Sequence, residues 1–244
     1  MSLDFQEDFL IDLCEVITDG SHFSPPSQIE GYFMASVKDM GDYDFQFDDC
    51  RKISYEDYQK LVKSGCSPQN DDILIAKDGS PLSNIFIYNE KYPMVILSSI
   101  AIIRANQTKI LPNFLKYYLE NPLIKKYIQS SFTSGSVIPR IILKDFKKFE
   151  ISYPSIKNQM KIISILKNID KKIEVNQQIN KVFMCKITHK FKKSYFLFLN
   201  GTDKIAKMHM IKSNKGFPAL VIGIILEAFL YAFILLDQFL SLIG

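Results

Sequence analysis

The chain has 244 residues, a net charge of +4, 47% apolar side chains and no tryptophan, but 12 tyrosines and 19 phenylalanines. That length holds one good-sized domain with appendages, and the apolar fraction excludes a disordered or fibrous chain. The charge is lopsided, −11 over residues 1–100 and +15 over residues 101–244, as a basic face for a polyanion or solubilising lysine-rich helices would produce.

The opening residues mix acids (Asp4, Glu7, Asp8, Asp12) with apolar side chains. That is the reverse of a signal peptide and points to a cytoplasmic chain. Val16-Ile17 runs into the turn signal Thr18-Asp19-Gly20, and Pro25-Pro26 forbids regular structure. Gly31 to Val37 reads as a strand, followed by an acidic, aromatic loop over residues 39–49. Ser54 and Asp57 resemble a capping box that opens a helix through Lys63. A buried strand from Asp72 to Ala76, a turn from Lys77 to Pro81 and a strand from Asn84 to Tyr88 come next. Residues 94–104 are apolar and β-branched, one core strand. Pro112 opens a helix with Phe114, Leu115, Tyr118 and Leu119 inward, and Pro122 opens a second that runs to about Gln129. Residues 131–139 form a small-residue loop, and Phe149 to Tyr153 closes the domain as a strand. The fold expected for residues 1–153 is α+β, with mixed, short-stranded sheets.

A long helix follows, from about Ile156 to about Lys192, in the region 154–199. Its stripe runs Ile162, Leu166, Ile169, Ile173, Asn176, Asn180, Phe183 and Ile187, with steps of four and three. Such a narrow seam belongs to a coiled coil, in which the two asparagines would fix register. The helix is therefore built to meet a long partner helix. Residues 200–244 form a divergent tail. Within it, residues 217–236 are apolar except for Pro218, Gly223 and Glu227, long enough for a hydrocarbon core of roughly 30 Å. A membrane anchor and a tail buried on protein both remain open for that segment.

Catalytic signatures are missing. There is no glycine-rich phosphate loop, no GxGxxG after a strand, and Pro81 breaks the nucleophile-elbow turn at Gly79-Ser80. Asp71, Asp72 and Lys77 mimic a nuclease cluster, but Lys77 falls on the opposite strand face from Asp72. Four scattered cysteines and three scattered histidines hold neither a disulfide framework nor a metal, so the thiols are expected to be reduced. His22 lacks an obvious acidic orienter and is either a turn residue or a base-edge donor. What remains is binding. Lys125, Lys126, Arg140, Lys144, Lys147 and Lys148 cluster with Tyr127, Phe132 and Phe146 interleaved, either a solvated rim or a phosphate-binding face. Arg140 follows a glycine loop, a good position for a guanidinium aimed at guanine O6 and N7. The candidate DNA-binding set is His22, Lys77, Ser80, Lys125, Lys126, Ser136, Arg140 and Lys144. The candidate helix-interface set is Ile162, Leu166, Ile169, Ile173, Asn176 and Asn180.

The order of these features resembles the specificity subunit of type I restriction-modification systems, as one target-recognition domain followed by one helical spacer. The resemblance is carried by Ile17-Thr-Asp-Gly-Ser-His-Phe-Ser-Pro25, Gly31-Tyr-Phe-Met-Ala-Ser-Val-Lys-Asp39, Asp72-Ile-Leu-Ile-Ala-Lys-Asp-Gly79 and Gly135-Ser-Val-Ile-Pro139. Pro154 with Gln159, the run Ile162 to Asn176, and Phe191 to Phe198 complete it over about residues 8–199. It implies a non-catalytic reader of double-stranded DNA that binds one half of a bipartite target and no cofactor. Its implied partners are methyltransferase subunits, which carry S-adenosylmethionine and dock on the spacer, and restriction subunits. At about 1.5 Å per residue, the helix would act as a ruler between half-sites.

A full-length subunit of that family has two recognition domains and two spacers, and this chain has one of each. The expected alternatives are a half-subunit that dimerises through its helix, a truncated remnant with an out-of-frame tail, or a membrane-anchored interaction protein.

Overall fold

The computed structural model describes residues 4–134, 137–180, 182, 183 and 186. Three small sheets carry the fold. Strand β1 (Phe5–Phe9) pairs antiparallel with the last strand, β9 (Glu150–Pro154), so the two ends of the recognition segment close on each other. In the second sheet β2 (Cys14–Asp19) lies beside β8 (Ile100–Ala105), then β5 (Ile73–Ala76) and β6 (Ile85–Ile87), all antiparallel. The third sheet has β4 (Lys52–Ile53), β3 (Tyr32–Ala35) and β7 (Met94–Ile96), with β3 and β7 parallel.

The apolar runs of β5 and of Ile100–Ile103 in β8 follow from burial on both faces of the second sheet. Ile73, Ile75, Ala101 and Ile103 enter one core cluster, while Leu74, Ala76, Ile100 and Ile102 enter another. Alternate side chains of a strand point to opposite faces, so a stretch covered on both sides is apolar at consecutive positions. The first cluster also holds Phe114, Leu115 and Leu119 of α2 (Pro112–Glu120) and Ile128 of α3 (Pro122–Ser131).

Local signals act as expected at the helix ends. Ser54 Oγ accepts the Asp57 N–H at 3.1 Å and opens α1 (Tyr55–Lys63). Prolines occupy the first turn of α2 and α3, and Asn121 Oδ1 accepts the Leu123 N–H at 2.9 Å. A short helix, α4 (Leu143–Phe146), forms without a capping residue or proline to announce it. A final helix, α5 (residues 156–180), leaves β9 after one residue. The described residues fall into two units, divided between Asn168 and Ile169.

Two expectations are corrected. Residues 94–104 are not one strand: Ile100 N–H donates to Leu97 O at 3.0 Å, and the turn between them sends β7 and β8 into different sheets. The Gly31–Val37 strand ends at Ala35, because Ser36 and Asp39 form a capping box around a 3-10 turn, Val37–Asp39. Tyr127, Phe132, Phe146 and Phe149 form one cluster of rings, with centroid separations of 5.8 to 6.3 Å, in which Phe146 is fully buried and Tyr127 stays 52% exposed.

Among the described residues no helix is long and apolar enough to cross a membrane. The 217–236 segment and the handover region near Phe191 lie outside them. Burial pushes the Cys14 thiol up to about 12 and the Cys50 thiol to about 11, and raises Cys66 as well. Iodoacetamide at pH 8 should therefore leave these three thiols unmodified in the native protein and label them only after unfolding. Peptide mass spectrometry checks this, and prompt labelling of any of the three would contradict it.

Candidate functional site

The turn that splits residues 94–104 is the hub of the site. Gly20 and Ser21 dock on it: Gly20 N–H donates to Ile100 O at 3.2 Å, Ser21 N–H to Ile96 O at 2.8 Å, and Ser98 N–H returns to Ser21 O at 2.9 Å. Position 20 must be glycine, since a Cβ there would stand 2.1 Å from Ile96 O. On the other side, Lys77 and Asp78 donate their N–H groups to Ser99 O at 2.8 and 3.3 Å. The loop before α4 then joins. Gly79 N–H donates to Pro139 O, and Ile141 N–H to Lys77 O, both at 2.9 Å. Gly79 sits at φ +83, in the left-handed region that favours glycine. Three segments far apart in sequence, around residues 20, 78 and 140, are thereby knitted into one platform.

Side chains complete the knot. Lys77, its side chain only 6% exposed, places Nζ 3.2 Å from Asp19 Oδ2 and 3.2 Å from Asp78 Oδ1. Asp19 also faces His22 Nε2 at 3.4 Å, and Asp78 faces Arg140 Nε at 3.9 Å. One buried cation between two carboxylates leaves a net negative charge, which Arg140 neutralises. Asp78 Oδ1 is buried without a partner in hydrogen-bond geometry, so its pairing with Lys77 is an ion pair rather than a directed bond. His22 and Arg140 keep side-chain exposures of 76% and 55%, so the outer ends of the network face solvent while its centre is sealed.

The structure thus brings together His22, Lys77 and Arg140, with the exposed Ser80 on the same turn as Lys77. The missing orienter of His22 is Asp19, three residues upstream, a spacing visible in the sequence but not read as a pair. Lys77 is the internal strut of the platform rather than an outward phosphate donor. Asp72 lies elsewhere, in a bidentate pair with Arg104 at 2.8 and 2.9 Å, so it shares no site with Lys77. Lys125 is half-buried and Lys126 exposed on α3, whose Gln129 Nε2 donates to Pro81 O at 2.7 Å next to the Lys77 turn. Lys144 is exposed on α4, and Ser136 lies outside the described residues.

Sequence reasoning missed Asp19 and Asp78, and two apolar side chains on the same loops, Phe23 (64% exposed) and Val137 (fully exposed). A cleft of about 860 Å³ between Thr18, Tyr58, Glu90 and Arg104 includes none of His22, Lys77 or Arg140. The platform itself is built from three loops.

Along α5, the expected interface set divides. Ile162 is half-buried, packing with Ile163 on the domain's own core, and Leu166 is also half-buried. Only further along do Ile169 and Ile173 become outward, 48% and 44% exposed, with Asn176 and Asn180 exposed too. The first member of the stripe is used by its own domain, because the helix must leave the fold through a packed turn.

A family model described as the type I restriction modification DNA specificity domain matches residues 3–183. The HindI specificity subunit of Haemophilus influenzae is 28% identical over 114 residues, 46% of this chain and 25% of that one. The MjaVIII specificity subunit of Methanocaldococcus jannaschii is 29% identical over 123 residues, 50% of this chain and 28% of that one. The chain thus spans about a quarter of the length of these curated relatives. A chain solved in work on complex assembly and conformational transition of the type I R-M system shares the fold, at a TM-score of 0.51 and 21% identity over 72% of this chain and 41% of that one. With the model matched over most of its length, the chain belongs to the family of type I restriction modification DNA specificity domains.

Proposed function

We propose that this chain is a non-catalytic reader of duplex DNA, which recognises one half-site with the three-loop platform and measures the distance to a second with α5. The observation that carries the reading is the network Asp19–Lys77–Asp78, sealed inside and ending outside in His22 and Arg140. A base-reading surface needs side chains held in place before DNA arrives, and such a network supplies that from loops. Lys126 and Lys144 would contact phosphates, which position the duplex without reading it.

Residues 1–153 would be the recognition domain and 154–199 the spacer. The outward apolar side chains of α5 would meet a second copy antiparallel, giving a homodimer and a palindromic pair of half-sites. Methyltransferase subunits would dock on the spacer and bring S-adenosylmethionine, and this chain would bind no cofactor. The test is co-expression with a type I methyltransferase subunit, followed by genome-wide mapping of methyladenine. One defined motif is expected, and unmethylated or randomly methylated DNA would overturn the reading.

Two substitutions separate reading from positioning. Arg140→Ala should relax discrimination at one base position by about 1–3 kcal/mol. Lys126→Ala should weaken all sequences alike and reduce the slope of log affinity against log salt by about 0.9. Titrations of matched and mismatched duplexes across salt concentrations check both.

A further inference from the structure

We infer that Gln159 is the joint that fixes the angle at which α5 leaves the recognition domain, and so a positioning residue for the spacing of half-sites. The inference rests on the ruler reading above. Gln159 is completely buried, one of few polar side chains so placed among the described residues. Its Oε1 accepts the Leu111 N–H at 2.8 Å, at the N-cap of α2. Its Nε2 donates to Lys109 O at 3.0 Å and to Pro154 O at 2.9 Å, the last residue of β9. One acceptor and both donors of a single amide thus tie three pieces of backbone together: the loop before α2, the end of β9, and the first turn of α5. No other uncharged side chain of that length offers both functions.

Ile162 and Ile163 pack on the domain's core, while Met160 and Ser164 on the next face line an open groove of about 310 Å³ with Pro112 and Asn113. The first turn is thus where the helix is tied to the recognition domain. A helix over residues 156–180 is roughly 37 Å long at about 1.5 Å per residue. A swing of about 10° at its base would move the far end by roughly 6 Å, close to two base-pair steps of about 3.4 Å. A ruler that discriminates spacing by single base pairs needs a joint stiffer than that.

The test uses the full-length chain with Cys185→Ser and spin labels on cysteines placed at Lys60 and Lys167, both exposed and in the same compact unit. In the parent protein the inter-label distance distribution should be narrow. Gln159→Met, of similar size and without the hydrogen bonds, should at least double its width. Gln159→Glu gives a second handle if the methionine variant does not fold. A carboxyl group donates only when protonated, so its distribution should be narrow near pH 5 and broad near pH 8, while the parent stays unchanged. An unchanged width in a folded methionine variant, or a pH-independent glutamate variant as narrow as the parent, overturns the joint.

Binding to duplexes carrying two half-sites at varied separations then links joint to ruler. The parent should lose at least tenfold affinity two base pairs from its optimum, and Gln159→Met less than threefold, with single half-site binding within twofold of the parent. A parent indifferent to spacing would overturn the ruler reading itself, while the distance distributions would still decide the joint.

Discussion

Arg104→Met should destabilise the fold by about 3–5 kcal/mol, a large part of the stability of a domain this size. Asp72 is fully buried, and its carboxylate accepts from Arg104 Nε at 2.8 Å, Arg104 Nη2 at 2.9 Å and the Gln69 N–H at 2.7 Å. The pair raises the Arg104 pKa, through the hydrogen bond to Asp72 first, against the opposing effect of burial. Removing the guanidinium strands a charge at the edge of a strand buried on both faces, with one backbone N–H left to it. The carboxylate must then ionise unpaired or take up a proton, and either route weakens the native state. Urea unfolding of the parent and the variant measures the difference at pH 7. The double variant Arg104→Met with Asp72→Leu should recover part of the loss, since replacing both partners removes the orphaned charge. A loss under about 1 kcal/mol in the single variant would mean that the pair is not a structural element of the second sheet.

Lys77→Met should lower DNA affinity by about 2–4 kcal/mol, more than any single exposed lysine. The reason is indirect. Methionine fills much of the space but leaves Asp19 and Asp78 facing each other without the cation 3.2 Å from both. Two uncompensated carboxylates would repel one another, release the loops carrying His22 and Arg140, and add negative charge where phosphates must approach. Because the Lys77 backbone remains bonded to Ser99 O and Ile141 N–H, the platform's backbone frame should survive, so the loss should exceed any change in melting temperature. By contrast, Lys144→Ala, at an exposed position on α4, should weaken binding only about threefold to tenfold. Equal effects of the two lysines in the same titration would contradict the strut.

Which parts of this architecture could be read from the sequence follows from how local their causes are. The start of α1 at Ser54 and the starts of α2 and α3 at Pro112 and Pro122 are set by one or two residues, and they fall where the sequence places them. The buried run of β5 declares itself by composition. The break at Leu97–Ser99 does not, because no glycine or proline marks it. It arises where Gly20 and Ser21, far away in sequence, take the hydrogen bonds that a continuous strand would have used. Strand β1 is equally hidden: its residues are mostly exposed, two of the five are acidic, and only pairing with β9, including the Tyr153 hydroxyl donating to Asp8 Oδ2 at 2.6 Å, makes it a strand.

The candidate site divides in the same way. His22, Lys77 and Arg140 were legible as polar or basic residues on loops, but nothing local tells that Lys77 points inward while the other two remain exposed. Nor does nearness in sequence to Lys147 and Lys148 tell that Phe146 is fully buried on a short helix. Gln159 was visible as a motif residue before the amide's three partners gave it a task.

Selection from randomised duplexes, with the purified chain alone and with a methyltransferase subunit bound, asks whether the three-loop platform reads DNA sequence. One defined half-site should be enriched, with the preference at a single position lost in Arg140→Ala and the remaining positions retained. A library that emerges without any enriched motif, bound by parent and variant alike with the same salt dependence, would contradict it.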